Sequence, residues 1–362
     1  MRFLHVSSDR LCEERESLDR FVDLRAAIYR DDYYYYPEQD TERRLLLHYA
    51  RRPDYRFHLI LGDDGAGRDV ARVVVGRCDA FPFGFFGFFE CPEDTGAFTE
   101  LMHEAARVAR GLGASDLLGP IDLNGLHNWQ FLTYSEDPER WVGDPYHRAY
   151  YPSLFTRAGW EVSDESTSGV IDRRLQRALL TTLPAALRNV KAAGLDVRWR
   201  EEVSLEELLP KAWRLSMSVF TPDANRMISV DFDVFKAQVE PVLTAFDDHM
   251  STLCLFRGDE LVGFALTYTN FIHRLCNPDG RKRLPHIEPP ALVIAPKTVA
   301  VSPSYRGGAP WKAMFLLLME QSLTRFEGRG GWRRSNVKNP SIKKFSAVGR
   351  VTHRYAAFRR GI

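Results

Sequence analysis

The stretch Thr298-Val-Ala-Val-Ser-Pro-Ser-Tyr-Arg-Gly-Gly-Ala-Pro-Trp-Lys-Ala-Met314 decides the fold of this chain. A short β-branched run meets a proline and an Arg-Gly-Gly turn, and an apolar run of helical spacing follows from Trp311 to Leu323. This order predicts a strand, a tight loop and a helix. A glycine-bearing loop at a helix N-terminus presents main-chain N–H groups and the positive end of the helix dipole, which suits phosphate. Because Arg306 and Lys312 add positive charge there, the stretch predicts a phosphorylated carrier bound in the C-terminal half.

Length and composition limit the class of protein. A chain of 362 residues is long for one hydrophobic core, so we expect two domains, residues 1–172 and 173–362. The net charge of +1 gives little support to generic binding of nucleic acid or acidic membranes. The five cysteines are scattered without a CxxC pair, which is typical of reduced thiols. Since there is no apolar signal core and no run long enough to span a bilayer, a soluble cytoplasmic protein without a membrane partner is predicted.

The two halves of the chain repeat one pattern. In each half a strand, a proline, a helix, a second strand and a Phe-x-x-x-Gly motif precede a terminal strand. The matching segments are Phe85–Phe89, Pro92 and Phe155…Gly159 in the first half, and Thr298–Val301, Pro303 and Phe345…Gly349 in the second. Glu93 and Asp94 follow the first proline, whereas Arg306 and two glycines follow the second. Because carboxylates at a helix N-terminus repel phosphate, the pattern predicts two related domains of which only the second binds the carrier.

The border between the two halves is predicted to be irregular. Residues 159–171 contain the polar centre Ser-Asp-Glu-Ser-Thr-Ser between Trp160 and Val170. Such a centre is typical of a loop or a hairpin tip. We therefore expect a loop or hairpin tip at the domain border.

With these motifs in place, the chain resembles a tandem member of the GNAT (Gcn5-related) N-acyltransferase superfamily whose N-terminal copy is degenerate. The segments that carry the resemblance are Leu255–Phe264, Val301–Gly308 and Asn339…Phe345…Gly349 in the second half, and Gly87–Glu90, Gly119-Pro120 and Tyr151…Gly159 in the first. The resemblance implies an α/β (α+β) fold of two tandem GNAT-like domains, each a mixed twisted sheet flanked by helices.

The resemblance also implies a cofactor and a reaction. The loop after the fourth strand would cradle the pyrophosphate of coenzyme A, two splayed strands would hold the acyl-pantetheine arm, and a neutral amine would attack the thioester. Val301 would supply the main-chain N–H for the oxyanion. The residues implied in binding the coenzyme A thioester are Val299, Val301, Arg306, Gly307, Gly308, Ala309, Lys312, Asn339 and Phe345. For Asn339, which precedes a proline, helix capping is the alternative.

This sequence departs from the family pattern at three points. Ala309 and Trp311 occupy positions where the family commonly has small residues, and Pro310 removes a donor that a first helical turn does not need. Phe345 stands where a tyrosine acid is frequent, but a thiolate needs protonation less than an alkoxide does. The carboxylate base has no clear position.

The end of the strand Leu261–Asn270 offers other polar groups for the acceptor pocket. Tyr268, Asn270 and His273 lie there, and His273 is the best general base by residue type. The alternative is a sheet-edge strand followed by a solvated histidine. His273, Cys276 and His286 suggest no metal site, because a fourth ligand is not evident and the spacing matches no zinc pattern.

Three functions follow from these observations. The main hypothesis is an acyl-CoA-dependent N-acyltransferase acting on a small-molecule amine. The second is a Fem-like transferase that takes its donor from aminoacyl-tRNA or an acyl carrier protein, because Arg325–Arg360 contains eleven Lys or Arg against Glu327 alone. The same segment is equally suited to bind the nucleotide 3′-phosphate of coenzyme A, and a solvated surface offset by acids elsewhere is the further alternative. The third is a non-catalytic GNAT-like binding protein.

Overall fold

The computed structural model describes residues 1–136, 141–220, 230–245, 250–270, 272–277, 293–306, 308–325, 328–339, 343, 346–347 and 349–362. Within these ranges the chain forms thirteen strands and ten helices. The strands are β1 (Arg2–Ser7), β2 (Tyr55–Asp63), β3 (Asp69–Cys78), β4 (Gly84–Glu90), β5 (Asp116–Gly119), β6 (Phe131–Ser135), β7 (Glu161–Val170), β8 (Asp196–Trp199), β9 (Met250–Arg257), β10 (Glu260–Tyr268), β11 (Val293–Val301), β12 (Arg329–Asn336) and β13 (Arg350–Gly361). The helices are α1 (Arg15–Ile28), α2 (Gln39–Ala50), α3 (Thr95–Gly111), α4 (Tyr151–Arg157), α5 (Arg173–Leu180), α6 (Leu183–Ala192), α7 (Leu205–Val219), α8 (Phe232–Ala245), α9 (Ile272–Cys276) and α10 (Ala309–Thr324).

The strands form one sheet whose order is symmetrical between the two halves of the chain. The order is β1-β2-β3-β4-β5-β13-β7-β12-β11-β10-β9-β8, and β6 pairs with β13 outside this path. We call β1-β2-β3-β4-β5-β13 the first arm and β7-β12-β11-β10-β9-β8 the second arm. Each arm contains one parallel pair, β4 with β5 and β11 with β12, and its other pairs are antiparallel. The element order therefore repeats as the two related sequence patterns predict.

The last strand of each half lies in the arm of the other half. Strand β7 ends the first half and pairs with β12, while β13 ends the second half and pairs with β5. The two exchanged strands pair with each other and join the arms into a continuous sheet. The domain boundary between residues 172 and 173 stays a prediction, and strand pairing crosses it in both directions.

The prediction of a loop or hairpin tip over residues 159–171 is wrong. This segment forms β7, which lies at the centre of the sheet between β13 and β12. Two of its buried hydroxyl groups find partners on those strands: Thr167 Oγ1 accepts from Trp332 Nε1 at 3.2 Å, and Ser168 Oγ lies 3.1 Å from the Tyr355 hydroxyl oxygen. A polar strand is tolerated there because its neighbours pair with its backbone on both sides and bind the hydroxyl groups of Thr167 and Ser168.

The apolar residues form one cluster on one face of the sheet and two on the other. The apolar sides of α1, α2, α7 and α8 share a cluster that spans both halves. On the opposite face α3 and α4 cover the first arm, and α6 and α10 cover the second. Alternate residues of a strand enter opposite clusters, as with Leu253 and Cys254 of β9. The predicted fold class, a mixed sheet flanked by helices, is confirmed.

Candidate functional site

The parallel strands β11 and β12 separate soon after they begin. They pair at Val293 with Arg329 and at Ile294 with Gly330, and in the described part of the chain they do not pair beyond that point. From Gly331 onward β12 pairs with β7, and β11 continues along β10 as far as Val301. A gap therefore widens between β11 and β12 toward their carboxyl ends, as the resemblance implies for the strands that hold the pantetheine arm.

The main-chain groups of Val299 and Val301 face this gap. Val301 pairs with Gly263 of β10, and the flanking Ser302 N–H donates to the Val262 oxygen at 2.8 Å. That bond makes the Val301 pair a non-hydrogen-bonded one, so the N–H and C=O of Val301 point away from β10. Val299 stands two residues earlier and points the same way. The resemblance implies that both residues contact the donor, and the register of β11 turns their N–H groups toward the gap.

Helix α10 begins just beyond the wide end of the gap. Gly308 is its N-cap residue, with extended backbone at φ −98° and ψ −168°, and has no side chain that could cap the helix. Ala309 and Pro310 open the first turn, where the missing N–H of Pro310 breaks no helical bond. Lys312 is exposed. Gly307 lies outside the described residues.

The guanidinium group of Arg306 contacts main-chain carbonyls. Nε donates to the Val301 oxygen at 3.1 Å, and Nη2 donates to the Val219 oxygen at 3.3 Å. Arg306 thus ties the end of β11 to the end of α7. This is a structural contact that sequence reasoning did not foresee, and it sets the position of the loop at the mouth of the gap.

Tyr268 and Asn270, two candidates for the acceptor pocket, both hold the backbone of Val142. Tyr268 is buried and its hydroxyl donates to the Val142 oxygen at 2.8 Å. Asn270 Oδ1 accepts from the Val142 N–H at 3.2 Å and from the Ile272 N–H at 3.3 Å. The backbone of the third candidate, His273, lies in α9, and its side chain lies outside the described residues. Tyr268 and Asn270 therefore join a loop of the first half to the second half.

The two late candidates lie after β12. The Asn339 N–H donates to the Asn336 oxygen at 3.0 Å, and the Asn339 oxygen accepts from the Lys343 N–H at 3.2 Å. The second bond has the spacing of a helical turn, in agreement with the capping alternative for Asn339. Phe345 lies outside the described residues.

At the corresponding place in the first half, the strands β4 and β5 stay close. A Cβ on Gly87 would lie 2.1 Å from the Ile121 oxygen, and a Cβ on Gly119 would lie 2.3 Å from the Phe86 oxygen. These two glycines let the backbones approach more closely than any other residue type allows. Counting back five residues from Pro92 gives Gly87, and the same count from Pro303 gives Thr298.

In the first half, carboxylate side chains accept hydrogen bonds from the main-chain N–H groups at the corresponding positions. Phe88 has φ +49°, and its N–H donates to Asp122 Oδ1 at 2.6 Å. Asp94 caps α3 by accepting from the Ala97 N–H at 2.5 Å. The cavity bounded by Phe88, Asp122 and Gln130 measures about 20 Å³, room for a single water molecule. A carboxylate thus occupies each place where a carrier would bind.

Buried charges fill the rest of this region. Glu42 accepts from Arg25 Nη1 and Arg72 Nη1, both at 2.8 Å, and Glu90 Oε2 accepts from the hydroxyl groups of Tyr29 at 2.9 Å and Tyr151 at 2.7 Å. Burial by itself would raise the pKa of Glu42, but Arg72 and Arg25 lower it to about 2. Burial raises the pKa of Glu90 despite its two arginine neighbours. Glu42 therefore pairs with both guanidinium groups at 2.8 Å, and Glu38 adds a second anion 3.3 Å from Arg25 Nη1.

A second polar cluster lies where the two halves meet, and sequence reasoning missed it. Asp144 Oδ2 accepts from Arg333 Nη2 and, at 2.9 Å, from the Tyr355 hydroxyl. The Arg333 guanidinium carbon lies 4.0 Å from the centre of the Trp141 ring. Two consecutive arginines, Arg333 and Arg334, within a predicted strand were the available signal, because a buried strand rarely carries adjacent charges.

The described residues contain neither a metal-binding cluster nor a membrane-spanning helix. No group of three or more His, Cys, Asp or Glu side chains in those residues is placed to hold a metal ion. None of the helices in the part of the chain described here is long and apolar enough to cross a membrane.

Solved structures resemble the chain over nearly its whole length. A tandem GNAT protein from the clavulanic acid biosynthesis pathway covers 99% of this chain and 98% of its own, with a TM-score of 0.50 and 13% identity. A conserved protein of unknown function from Enterococcus faecalis V583, described as a probable N-acyltransferase, covers 100% of this chain and 73% of its own, with a TM-score of 0.56 and 9% identity. A GCN5-related glucosamine N-acetyltransferase region of a fungal multi-domain GH3 beta-N-acetylglucosaminidase covers 99% of this chain and 38% of its own, with a TM-score of 0.50 and 14% identity.

These likenesses establish the fold. No family model matches the chain, and no curated protein matches it in sequence. Identities of 9–14% show a common architecture and nothing finer. The chain has a GNAT fold, and the predicted resemblance to that superfamily is confirmed at this level.

Proposed function

We propose that the chain is an N-acyltransferase that takes an acyl group from an acyl-CoA and gives it to an amine. The observation that carries the proposal is the gap between β11 and β12, which opens toward the glycine-capped N-terminus of α10. A pyrophosphate at that N-terminus would meet bare N–H groups and the helix dipole. The GNAT fold supports acyl transfer in general, and donor and acceptor are our proposal.

The reaction needs little covalent chemistry from the protein. The amine nitrogen bonds to the acyl carbon while the carbon–sulfur bond breaks; the amine loses one proton and the departing thiolate gains one. The main-chain N–H groups of Val299 and Val301 face the gap and would stabilise the negative charge on the carbonyl oxygen. The strands fix the direction of the acyl group and so contribute by positioning.

Two variants at the helix cap test the proposal. Gly308→Asp copies the cap that Asp94 provides in the first half, and Gly308→Asn adds the same cap without charge. Either side chain fits, because a Cβ at Gly308 would lie 3.5 Å from its nearest neighbour, Pro310 Cδ. We expect Gly308→Asp to weaken the binding of acetyl-CoA by roughly tenfold to a hundredfold, as an anion beside a phosphate does, and Gly308→Asn to bind more tightly than Gly308→Asp. Isothermal titration calorimetry measures both.

Charge reversal gives a matched control. Lys312→Glu removes a cation at the mouth of the gap, and Lys191→Glu makes the same change at an exposed position near the end of α6. The first variant should weaken acetyl-CoA binding and the second should leave it unchanged. Equal affinity of Gly308→Asp and Gly308→Asn, or no binding by the unaltered protein, would show that α10 does not receive the donor.

A non-catalytic binding protein is the second candidate. It is favoured by the contacts of Tyr268 and Asn270, whose polar groups bind the backbone of Val142. The measurement is release of free coenzyme A from acetyl-CoA in the presence of a panel of amines. Tight binding without release would favour this candidate over the enzyme.

The basic segment Arg325–Arg360 gives less support to a tRNA or carrier-protein donor than its number of Lys and Arg residues suggests. Four of its arginines pair with carboxylates elsewhere in the fold: Arg325 with Glu201, Arg333 with Asp144, Arg350 with Glu136 and Arg359 with Asp116. Such pairing neutralises charge that a tRNA or an acyl carrier protein would use. A tRNA or carrier-protein donor therefore remains an alternative whose test is strongly salt-dependent binding that coenzyme A does not compete.

A further inference from the structure

Arg334 is a partly buried cation that lacks a carboxylate partner. Its guanidinium Nη1 donates to the Trp129 oxygen at 3.5 Å, a long bond, and within the described residues it makes no ion pair. Burial lowers the pKa of Arg334, and the neighbouring Arg333 lowers it further against the pull of Asp144. A charge held away from water without a counter-ion is costly, so such a group calls for an anion.

The nearby carboxylate is already used. Asp144 pairs with Arg333 and also accepts from Tyr355. Burial by itself would lower the pKa of Arg333, but Asp144 raises it above the ordinary value. Asp144 thus forms an ion pair with only one of the two adjacent arginines.

The backbone of β12 brings Arg333 and Arg334 close to the gap between β11 and β12. Arg334 has φ +32°, a left-handed value that is strained for arginine, and the register of β12 against β7 shifts between Trp332 and Ser335. Arg333 and Arg334 follow Gly330, the last residue that pairs with β11, by only three and four positions. Trp332 lies in the cluster of α10. Arg333 contacts Trp141 and the Arg334 guanidinium lies near Trp129, and both tryptophans belong to the cluster on the other face of the sheet, so both arginines face away from α10. An acceptor entering from this face would meet the arginines beside the gap.

We propose that Arg334 binds a carboxylate of the acceptor, so that the substrate class is an amine that also carries a carboxylate. This inference rests on the proposed acyl transfer. Arg333 is held by Asp144 and positions the strand, and Arg334 offers its guanidinium fork to the two carboxylate oxygens. The ring of Trp129, whose centre lies 5.9 Å from the Arg334 guanidinium carbon, bounds the site on the side of the first half.

The experiment compares pairs of acceptors that differ only in the carboxylate. Acetyl-CoA is the donor, and the acceptors are the common α-amino acids as free acids and as primary amides. We expect at least one free acid to be acetylated with a kcat/KM at least tenfold above that of its amide. Arg334→Gln should raise the KM for that acid roughly tenfold to a hundredfold, the usual range for a charge-assisted hydrogen bond, with little change in kcat. Arg334→Lys should restore part of the affinity.

Two readouts separate recognition from a structural role. Arg334→Gln should leave the unliganded protein as stable as before or more so, since it removes an uncompensated charge, and it should not alter the rate with amides. Arg354→Gln, at an exposed arginine of β13, is the matched control and should behave as the unaltered protein does. Equal rates with acids and amides, or equal losses on both in Arg334→Gln, would overturn the inference while leaving acyl transfer standing.

The inference also has a test that does not need turnover. If acetyl transfer is absent, calorimetry with the free acids in the presence of coenzyme A still reports binding. Binding that Arg334→Gln abolishes would support the carboxylate site while the proposed function fails. If no free acid binds and none is acetylated, the carboxylate site is refuted as well.

Discussion

The two arms of the sheet differ where their parallel strands meet. In the first arm β4 and β5 remain in contact through Gly87 and Gly119, and Asp122 takes the N–H of Phe88. In the second arm β11 and β12 separate after Ile294 and Gly330, and Thr298 stands in the place of Gly87. The comparison teaches that in the first arm backbone contact and an internal carboxylate close the space between the parallel strands, whereas in the second arm the strands separate and no glycine stands at the position of Gly87.

The first arm depends on its buried charges, so the largest effect is expected at Glu42. Glu42→Gln leaves the buried Arg25 and Arg72 without their main counter-ion, which should lower the free energy of unfolding by about 3–5 kcal/mol. Chemical denaturation at neutral pH measures this. Glu207→Gln, at an exposed ion pair of the second arm, is the control and should unfold as the unaltered protein does. A similar unfolding midpoint in Glu42→Gln would mean that the cluster does not hold the first arm together.

The same residue predicts a pH dependence. The pKa of Glu42 falls from 4.5 to about 2 in the folded state, a shift equivalent to roughly 3 kcal/mol. Because the folded value is the lower one, this stability is fully present above pH 4.5 and is lost as the pH falls toward 2. The unaltered protein should lose stability across that window, and Glu42→Gln should show a flatter curve there.

Backbone contact in the first arm is tested at Gly87. Gly87→Ala places a Cβ 2.1 Å from the Ile121 oxygen, so the strands must move apart, at a cost of roughly 3 kcal/mol. Gly263→Ala in β10 is the control, because its Cβ would meet the flexible end of Met314 at 3.3 Å. Thermal unfolding compares the two. Equal stability of the Gly87→Ala and Gly263→Ala variants would contradict the closed first arm.

Local signals predicted the elements of the repeated pattern. The order of strand, proline and helix gave β4 and α3 in the first half and the end of β11 and α10 in the second, because these features depend on neighbours in the sequence. The open α10 terminus followed from the Arg306-Gly-Gly loop for the same reason. The central position of β7 and the exchange of β7 with β13 could not be predicted, since the polar residues of β7 are satisfied by strands more than a hundred residues away.

The seam cluster shows the same limit. Asp144 and Arg333 are separated by 189 residues, and no local pattern in the sequence joins them. Tyr268 and Asn270 were predicted to line a pocket from their place at the end of a strand, but their partner, Val142, belongs to the other half. Polar residues that hold the halves together and polar residues that bind a substrate look alike in a single sequence.

The variant Tyr268→Phe distinguishes a residue that holds the halves together from one that binds a substrate, and its expected effect on stability is smaller than that of Gly87→Ala. The variant leaves the Val142 oxygen without its donor, which should lower stability by about 1–2 kcal/mol. If Tyr268 acts only as a link between the halves, the rate of acyl transfer at saturating substrate should stay unchanged. Tyr134→Phe, at an exposed tyrosine, is the control. A large fall in rate with unchanged unfolding would instead assign Tyr268 to the acceptor pocket.

The smallest effects concern the two helix caps, and they have opposite signs. Asp94→Ala removes the bond from the Ala97 N–H and should lower stability by about 1 kcal/mol. Gly308→Asn should raise it by a few tenths of a kcal/mol, since asparagine caps a helix slightly better than glycine does. Thermal unfolding in the absence of ligand measures both. The second arm thus forgoes a small gain in stability by keeping Gly308, which is understandable if the end of α10 must receive an anion. An absence of stabilisation in Gly308→Asn would remove that argument and leave Gly308 as an ordinary residue of a turn.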